Sequence, residues 1–488
     1  MNRDSKPSGR AFQVIHNSTT VVGGELFYRF VNFFSSIMVA RVLGTEGYGQ
    51  FSFIFIYISF FEAFVQFGLN PILIRRLSQE KGEAPQILGN AILLRIAMIV
   101  LVCPLVLWTV KALGYPLSVR QGASLAYFQL FLTLRQIYEV IFRVNLTMIY
   151  PALWNGIRAL VNLVLVAIAA FYRATLPVFI LAYLLSGSAA LIGLGIFSNR
   201  FVRIDFRFRK NIFLYLIKES APLVISAYLT LISYRIDVLM LSLMKGFADV
   251  GFYSVATRIT ESLLVFSNAL LVSLFPILAR SFKENRNDFD RQVSASFRAF
   301  LFMGLPIAVG GTVVSKDLIL LCFGPAYAPS ALTLSILCWH LLFSFVASLM
   351  ANILIGCGKQ IADMWISLSM ALGNIGMNLV LIPAFSHRGA AIATVLTEML
   401  GMFIYCFYCT KNPHIRLSLS VVEIGSPLKI NAIYFFILLG LKIFLKLPAI
   451  LLIGSGVLIY GVLILSFRVV SWGDVKRYFL AAYEQKPA

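Results

Sequence analysis

Charged residues and histidines are scarce in this chain. Charged residues make up 13% of its 488 residues, and histidine occurs 4 times, whereas soluble globular proteins carry about 25% charged residues. Hydrophobic residues reach 59%, including 42 Phe and 20 Tyr, which is more than one aqueous core can bury. The composition excludes a soluble enzyme and a disordered chain, and it favours a polytopic membrane protein.

Cysteines and catalytic motifs are sparse as well. The 6 cysteines lie in or near apolar runs, so a disulfide framework is not expected. Cys406 and Cys409 have a CxxC spacing, but no second pair accompanies them, as a zinc site would require. The sequence contains neither a Gly-x-x-x-x-Gly-Lys-Ser/Thr loop nor a His-Glu-x-x-His motif. We therefore expect no ATP-hydrolysing phosphate loop, no metal site and no cofactor.

Apolar runs of membrane-spanning length follow one another along the chain. Because a span needs about 20 predominantly apolar residues, the sequence predicts an all-α protein with about 14 transmembrane helices. The predicted spans are Val14–Val42, Tyr48–Leu69, Leu88–Val110, Val119–Phe142, Met148–Tyr172, Leu176–Phe197, Phe213–Met244, Val250–Leu278, Ser296–Val314, Ala328–Ile355, Ile361–Phe385, Gly389–Thr410, Pro427–Leu445 and Pro448–Phe467.

Basic residues outnumber acidic ones by 41 to 21. They lie between the apolar runs, so we expect contact with anionic membrane lipids and not with nucleic acid. Most fall in the N-terminus, in every second connection, including the stretch 199–211, and in the C-terminus. Since cytoplasmic loops are enriched in Lys and Arg, the pattern predicts a multi-pass protein of the cytoplasmic (inner) membrane with both termini in the cytoplasm.

Short motifs recur in the two halves in the same order. At offsets between 202 and 216 positions, GQFS at 49–52 recurs as GFYS at 251–254, PILIR at 71–75 as PILAR at 276–280, and NLVL at 162–165 as NLVL at 378–381. The offset covers six predicted helices, and an even number returns the chain to the same side of the membrane. We therefore expect two parallel six-helix lobes, as found in transporters.

These lobes give a domain organisation. The N-lobe is predicted at 1–210 with helices 1–6, and the C-lobe at 211–411 with helices 7–12. The remaining segment, 412–488, is predicted to hold helices 13 and 14 and a cytoplasmic tail. In folds of this kind the substrate site lies between the repeats, near the middle of the bilayer.

Several predicted spans contain charges, which are costly in a bilayer and usually face a polar interior. We predict substrate binding by Arg29, Arg235, Arg258 and Asn32, since a guanidinium can hold two phosphate oxygens at once. The acids that could couple transport to a proton or sodium gradient, or form charge pairs, are Glu25, Glu62, Asp237, Glu261 and Glu398. A structural alternative stays open: Glu25–Arg29, Arg135–Glu139 and Arg258–Glu261 could neutralise each other along their helices. In that alternative Arg95, Arg143 and Arg158 could extend to the cytoplasmic interface of the membrane.

The segment ARVLGTEGYGQFS at 40–52 resembles the opening signature of Wzx-type polysaccharide biosynthesis flippases, in the multidrug/oligosaccharidyl-lipid/polysaccharide exporter superfamily. The segments FGLN at 67–70, followed by Arg75 and Arg76, and GFYSVATR at 251–258 fit the same family, as does LFP at 274–276. The resemblance spans most of the chain and identifies the superfamily branch better than the cargo.

The resemblance implies a non-enzymatic membrane transporter that moves undecaprenyl-pyrophosphate-linked oligosaccharides across the cytoplasmic membrane by alternating access. The polymerase and glycosyltransferases of the same polysaccharide pathway are the expected protein partners. Two relatives remain as alternatives: a flippase for lipid-linked peptidoglycan precursors and a multidrug/cation antiporter. A membrane glycosyltransferase is disfavoured because no predicted connection is longer than about 20 residues, the length of a single span.

Overall fold

The computed structural model describes residues 7–411, 421–445 and 447–467. Its α-helices, numbered in chain order, are α1 (Pro7–Gln66), α2 (Leu69–Gln79), α3 (Ala84–Ala112), α4 (Leu117–Ala126), α5 (Gln129–Leu132), α6 (Leu134–Val144), α7 (Ile149–Phe171), α8 (Leu176–Ser198), α9 (Lys210–Met244), α10 (Phe247–Glu284), α11 (Arg286–Phe323), α12 (Ser330–Gly356), α13 (Gln360–Lys411), α14 (Val421–Phe444) and α15 (Ala449–Ser466).

The all-α, polytopic class predicted from composition is confirmed. Each predicted span coincides with a helix or with part of one, and no strand occurs in the ranges that the structure describes. Ten described helices are long and apolar enough to cross a membrane. The fourth predicted span is divided into α4, α5 and α6, which follow one another with only short interruptions.

Two of the long helices each contain two predicted spans, joined at a sharp kink. In α1 the kink is at Gly44, whose φ is 68°, and in α13 it is at Ser386, whose φ is 53°. Gly246, which separates α9 from α10, has a φ of 106°. Gly44 and Gly246 are 202 positions apart, the same offset as the GQFS and GFYS motifs. Each motif copy therefore follows a left-handed turn that favours glycine.

The chain forms two compact units. The first comprises Met1–Arg258 and Ser367–Ala390, and the second comprises Ile259–Ile366 and Ala391–Ala488. This grouping by contacts does not test the lobe boundaries expected from the repeat, 1–210, 211–411 and 412–488, which stay a prediction. The predicted cytoplasmic tail, 468–488, lies outside the described residues, as does 412–420.

Each unit has its own apolar core. In the first unit, α2, α3 and α6 bury Leu73, Leu88 and Ile137 together with Leu216 of α9. In the second unit, α11 packs against α12, α14 and α15, and its core includes Leu438 of α14. These contacts fix the helices that carry the polar residues described next.

Large apolar side chains also cover much of the outer surface. Trp108 of α3, Phe171 of α7 and Leu458 of α15 are 66%, 82% and 73% exposed. In water such a surface would drive aggregation, whereas in a bilayer it faces lipid tails. The exposed apolar faces therefore agree with a multi-pass membrane protein.

Candidate substrate and coupling site

The first arm of α1, residues 7–43, carries three of the predicted site residues on one face. The Arg29 Nε donates a hydrogen bond of 2.7 Å to the Glu25 Oε1, and the Asn162 Nδ2 of α7 donates one of 3.3 Å to the Asn32 Oδ1. The predicted charge pair of Glu25 with Arg29 is confirmed. The Arg29 side chain is 36% exposed and the Glu25 side chain 44% exposed.

Glu62 lies on the second arm of α1, residues 45–66, where its carboxylate accepts two hydrogen bonds from amides. The donors are the Gln66 Nε2 at 2.9 Å and the Gln129 Nε2 of α5 at 3.0 Å. The charges of Arg95, Arg135 and Arg158 all act on this carboxylate. Glu62 is therefore an acid hydrogen-bonded by two amides and in the electrostatic field of three arginines.

Arg95 of α3 is fully buried, so the expectation that it extends to the membrane interface is wrong. Its guanidinium donates to the carbonyl oxygens of Thr133 at 2.7 Å and of Gln66 at 3.2 Å, and to the Asn70 Oδ1 at 3.4 Å. These acceptors come from three helices or the turns beside them. Buried charges are tolerated when they are hydrogen-bonded, and Arg95 thereby ties α3 to the second arm of α1 and to α6.

Arg158 of α7 lies between two tyrosines that the sequence analysis did not single out. Its guanidinium carbon is 5.6 Å from the ring centre of Tyr28 and 5.1 Å from that of Tyr183, and its Nη2 donates to the Tyr183 hydroxyl at 2.8 Å. Both distances are within the range of cation–π attraction. Tyrosine inside an apolar span was the signal that could have pointed to these partners, because a buried hydroxyl needs a hydrogen-bond partner.

Arg135 and Glu139 of α6 form the expected ion pair one helical turn apart. Arg135 also donates to the Asn155 Oδ1 of α7 at 2.8 Å, a contact that sequence spacing did not predict. The pair is mostly buried, with 17% of the Arg135 side chain exposed. The Arg135 side chain is therefore more buried than that of Arg29.

Together these charges form what we call the N-terminal polar cluster: Glu25, Arg29, Glu62, Arg95, Arg135, Glu139 and Arg158. It contains one more arginine than glutamates, and it lies among apolar helices, where charges interact more strongly than in water. The Arg29 side chain is more exposed than that of Arg135, at 36% against 17%. The cluster is thus suited to attract an anionic group while its other arginines hold the helices together.

The C-terminal half carries further predicted site residues on α9 and α10. Asp237 of α9 is 6% exposed, and its carboxylate accepts hydrogen bonds from the Tyr253 hydroxyl and, at 2.8 Å, from the Val238 backbone N–H. Arg235 is half-buried on α9, and Arg258 is exposed on α10. Their grouping with Arg29 around one cavity stays a prediction.

The last two candidate acids belong to the second unit. Glu261 is half-buried on α10, and its charge acts on the buried His340 of α12. Glu398 is half-buried on the second arm of α13, residues 387–411. Their role in ion coupling stays a prediction.

The repeated motifs meet in the first unit through their glycines. A methyl group built at Gly49 of α1 would lie 1.8 Å from the carbonyl oxygen of Phe247, and one built at Gly251 of α10 would lie 2.1 Å from that of Thr45. Thr45 and Phe247 each precede the glycine of their own motif by four positions. The two contacts are therefore reciprocal, and the two motif copies pack against each other backbone to backbone.

Comparison with known proteins identifies the family. A model of polysaccharide biosynthesis proteins matches residues 14–282, more than half of the chain. The chain belongs to the polysaccharide biosynthesis protein family. The MatE family model matches residues 222–380, so the resemblance read from the motifs of both halves is confirmed.

Curated relatives of this family match at low identity. The chain is 24% identical over 240 residues to Agl15, a probable low-salt glycan biosynthesis flippase of Haloferax volcanii. This match covers 48% of the chain and 50% of that relative. It is 22% identical over 213 residues to the capsular polysaccharide biosynthesis protein CapF of Staphylococcus aureus, covering 43% and 54%. The chain thus matches about half the length of these curated relatives.

Solved structures share the fold. The lipid II flippase MurJ in an inward closed conformation has a TM-score of 0.75 at 17% identity, with 90% of this chain and 96% of that chain covered. An inward-facing multidrug resistance MATE family transporter has a TM-score of 0.66 at 16% identity, with 78% and 93% covered. At these identities the likeness establishes the fold alone.

Proposed function

We propose that the protein is a membrane transporter, not an enzyme, that moves polyprenyl-pyrophosphate-linked oligosaccharides across the cytoplasmic membrane for cell-surface polysaccharide synthesis. Both termini face the cytoplasm in this proposal, because the basic connections are then cytoplasmic. The family match carries the proposal, and the flippase names of the curated relatives support it. Membrane lipids are its surroundings, and polymerases and glycosyltransferases of the same pathway are its proposed protein partners.

In this proposal the pyrophosphate is bound by arginines inside the membrane. Arg29 is the first contact, because its side chain is 36% exposed, and Asn32 one turn away adds an amide. Arg235 and Arg258 supply the corresponding cations of the other half. A guanidinium binds two phosphate oxygens in a fixed fork, which lysine lacks, so Arg→Lys substitutions should be only partly tolerated.

Transport is driven in this proposal by a proton or sodium gradient. The carboxylates that take part are Glu25, Glu62, Asp237, Glu261 and Glu398. Glu62 is the strongest candidate in the first unit, since its amide partners can remain bound whether or not the carboxylate is protonated. If transport in vesicles is indifferent to both gradients, these acids are structural and the coupling proposal fails.

The test is transport in reconstituted vesicles with a fluorescent polyprenyl-pyrophosphate oligosaccharide, whose exposure outside is read with an impermeant quencher. We expect Arg29→Gln and Arg258→Gln to lower the rate at least tenfold. The matched control is Arg143→Gln, an exposed position at the end of α6, which should leave it unchanged. Movement of a lipid-linked peptidoglycan precursor or of cationic drugs, without movement of the oligosaccharide, would replace the proposal by one of the two alternatives.

A double variant separates cargo binding from charge pairing at Glu25 and Arg29. The comparison uses vesicles without an ion gradient, where Glu25 is not needed for coupling. If Arg29 only neutralises Glu25, the double change Glu25→Gln with Arg29→Gln should restore transport there. If Arg29 binds the pyrophosphate, the double variant should stay as slow as Arg29→Gln alone. Equal amounts of each variant in the membrane, checked by immunoblot, make the comparison valid.

A further inference from the structure

A cavity of about 570 Å³ opens in the first unit where α2, α3 and the start of α9 meet. Its lining residues are Arg76, Glu83, Ile87, Arg209, Lys210, Asn211, Ile212, Tyr215 and Leu216. The lining contains three cations and one acid, so its net charge is positive. It lies outside the N-terminal polar cluster, and the proposed transport function makes no use of it.

The segment 201–209, whose last residue lines the cavity, is fixed onto α3. The fully buried Asn90 donates to the Arg207 carbonyl oxygen at 3.1 Å and accepts from the Arg209 N–H at 2.9 Å. The Asp205 N–H donates to the Pro85 carbonyl oxygen at 3.0 Å. At Gly89 a methyl group would lie 1.9 Å from the Asp205 oxygen. The position of Arg209 is therefore built by the fold.

The cations around the cavity are held in different ways. Arg76 is paired with Glu80 at 2.7 Å and with Glu83 at 3.5 Å, and it stacks 4.7 Å from the ring centre of Tyr215. Arg209 and Lys210 are exposed and begin the 35-residue helix α9. Anions are favoured at such a helix start, but the charged cavity itself carries the argument.

The surroundings of the cavity favour a lipid as the source of the anion. Phe206, Phe208 and Leu214 are 56%, 61% and 51% exposed. The two phenylalanines flank Arg207, whose side chain is 86% exposed. Alternating aromatic and basic residues are typical of segments at the membrane interface, where the rings meet acyl chains and the cations meet headgroups. A soluble phosphate would make no use of the exposed rings.

We propose that this cavity binds the phosphate headgroup of an anionic phospholipid, held by Arg209 and Lys210 with Arg76 behind them. The exposed rings of the segment 201–209 lie against the acyl chains. The bound phospholipid is a lasting neighbour of the protein and not its cargo, so the site is independent of the proposed transport function.

The test is native mass spectrometry of the full chain titrated with phosphatidylglycerol and, separately, with phosphatidylcholine. We expect phosphatidylglycerol to bind in preference, and the double variant Arg209→Gln with Lys210→Gln to weaken it about tenfold. The matched control is Arg203→Gln with Arg207→Gln, which removes the same charge from the same segment at exposed positions outside the cavity lining. That control should weaken binding less than twofold.

Two results would overturn the site. Equal weakening by both double variants would mean that the whole basic segment attracts lipid without a pocket. Displacement of phosphatidylglycerol by submillimolar inorganic pyrophosphate would mean that the cavity binds soluble phosphates. A folding defect in the cavity variant is detected by its thermal unfolding midpoint, and Arg209→Lys, which keeps the charge, should then retain binding.

Discussion

Just beyond the end of α9, where Gly246 turns the chain into α10, the backbones of α1 and α10 are in contact, and a side chain at Gly49 or Gly251 would have no room. At the start of α9, around Lys210, exposed cations border an open cavity. The first region joins the two motif copies through Gly49 and Gly251. The second depends on hydrogen bonds from Asn90 to a connecting segment. The comparison shows that close backbone packing surrounds one end of this helix, whereas the other end borders an open, positively charged cavity.

The largest effect is expected for Gly49→Ala. The added methyl group would lie 1.8 Å from the Phe247 carbonyl oxygen, and two backbones cannot separate as cheaply as a flexible side chain can move. We expect a loss of about 3 kcal/mol of folding free energy, at the upper end of overpacking effects, measured by thermal unfolding in detergent. The control is Gly376→Ala, where a methyl group meets nothing within 4 Å. An unchanged midpoint for Gly49→Ala would show that α1 and α10 separate freely here.

A smaller effect is expected at the open end of α9, for Asn90→Ala. The change removes the hydrogen bonds that the fully buried Asn90 amide makes with the Arg207 carbonyl and the Arg209 N–H. We expect a loss of about 2 kcal/mol of folding free energy. Because those bonds fix the segment 201–209, tryptic cleavage after Arg203 and Arg207 should become faster. Asn145→Ala, at an exposed position, is the control. Cleavage at the rate of the unchanged protein would mean that the packing at Gly89 and the hydrogen bond from Asp205 to Pro85 are enough to hold the segment.

The smallest effect is expected for Asp249→Asn at the packed end. The Asp249 Oδ1 accepts hydrogen bonds from the Ser386 hydroxyl at 2.5 Å and from the His387 Nδ1 at 2.7 Å, and asparagine keeps one oxygen in place. We therefore expect a loss of about 1 kcal/mol of folding free energy, measured by thermal unfolding. The control is Glu46→Gln, at an exposed position. A loss as large as that of Gly49→Ala would contradict the view that backbone packing fixes this region.

The sequence predicted the helices far better than the contacts among polar residues. Every apolar run predicted as a span coincides with a helix or with part of one. Hydropathy is enough for this prediction, because a span needs about 20 apolar residues whichever helices it packs against. Spacing along one helix also predicted the Glu25–Arg29 and Arg135–Glu139 pairs, since residues four apart share a face. The same reasoning failed for Arg95, because its acceptors are carbonyl oxygens and an amide of other helices.

The sequence by itself determined the membrane class, the order of the spans, the family and the identity of the charges inside the membrane. These depend on composition and on local motifs, which are read along the chain. Only the tertiary structure decided that Gly49 meets Phe247, that Arg158 lies between Tyr28 and Tyr183, and that Asn90 fixes the basic segment beside α9. These contacts join positions distant along the chain, and hydropathy, which records only how well each residue tolerates lipid, does not specify which helices pack together.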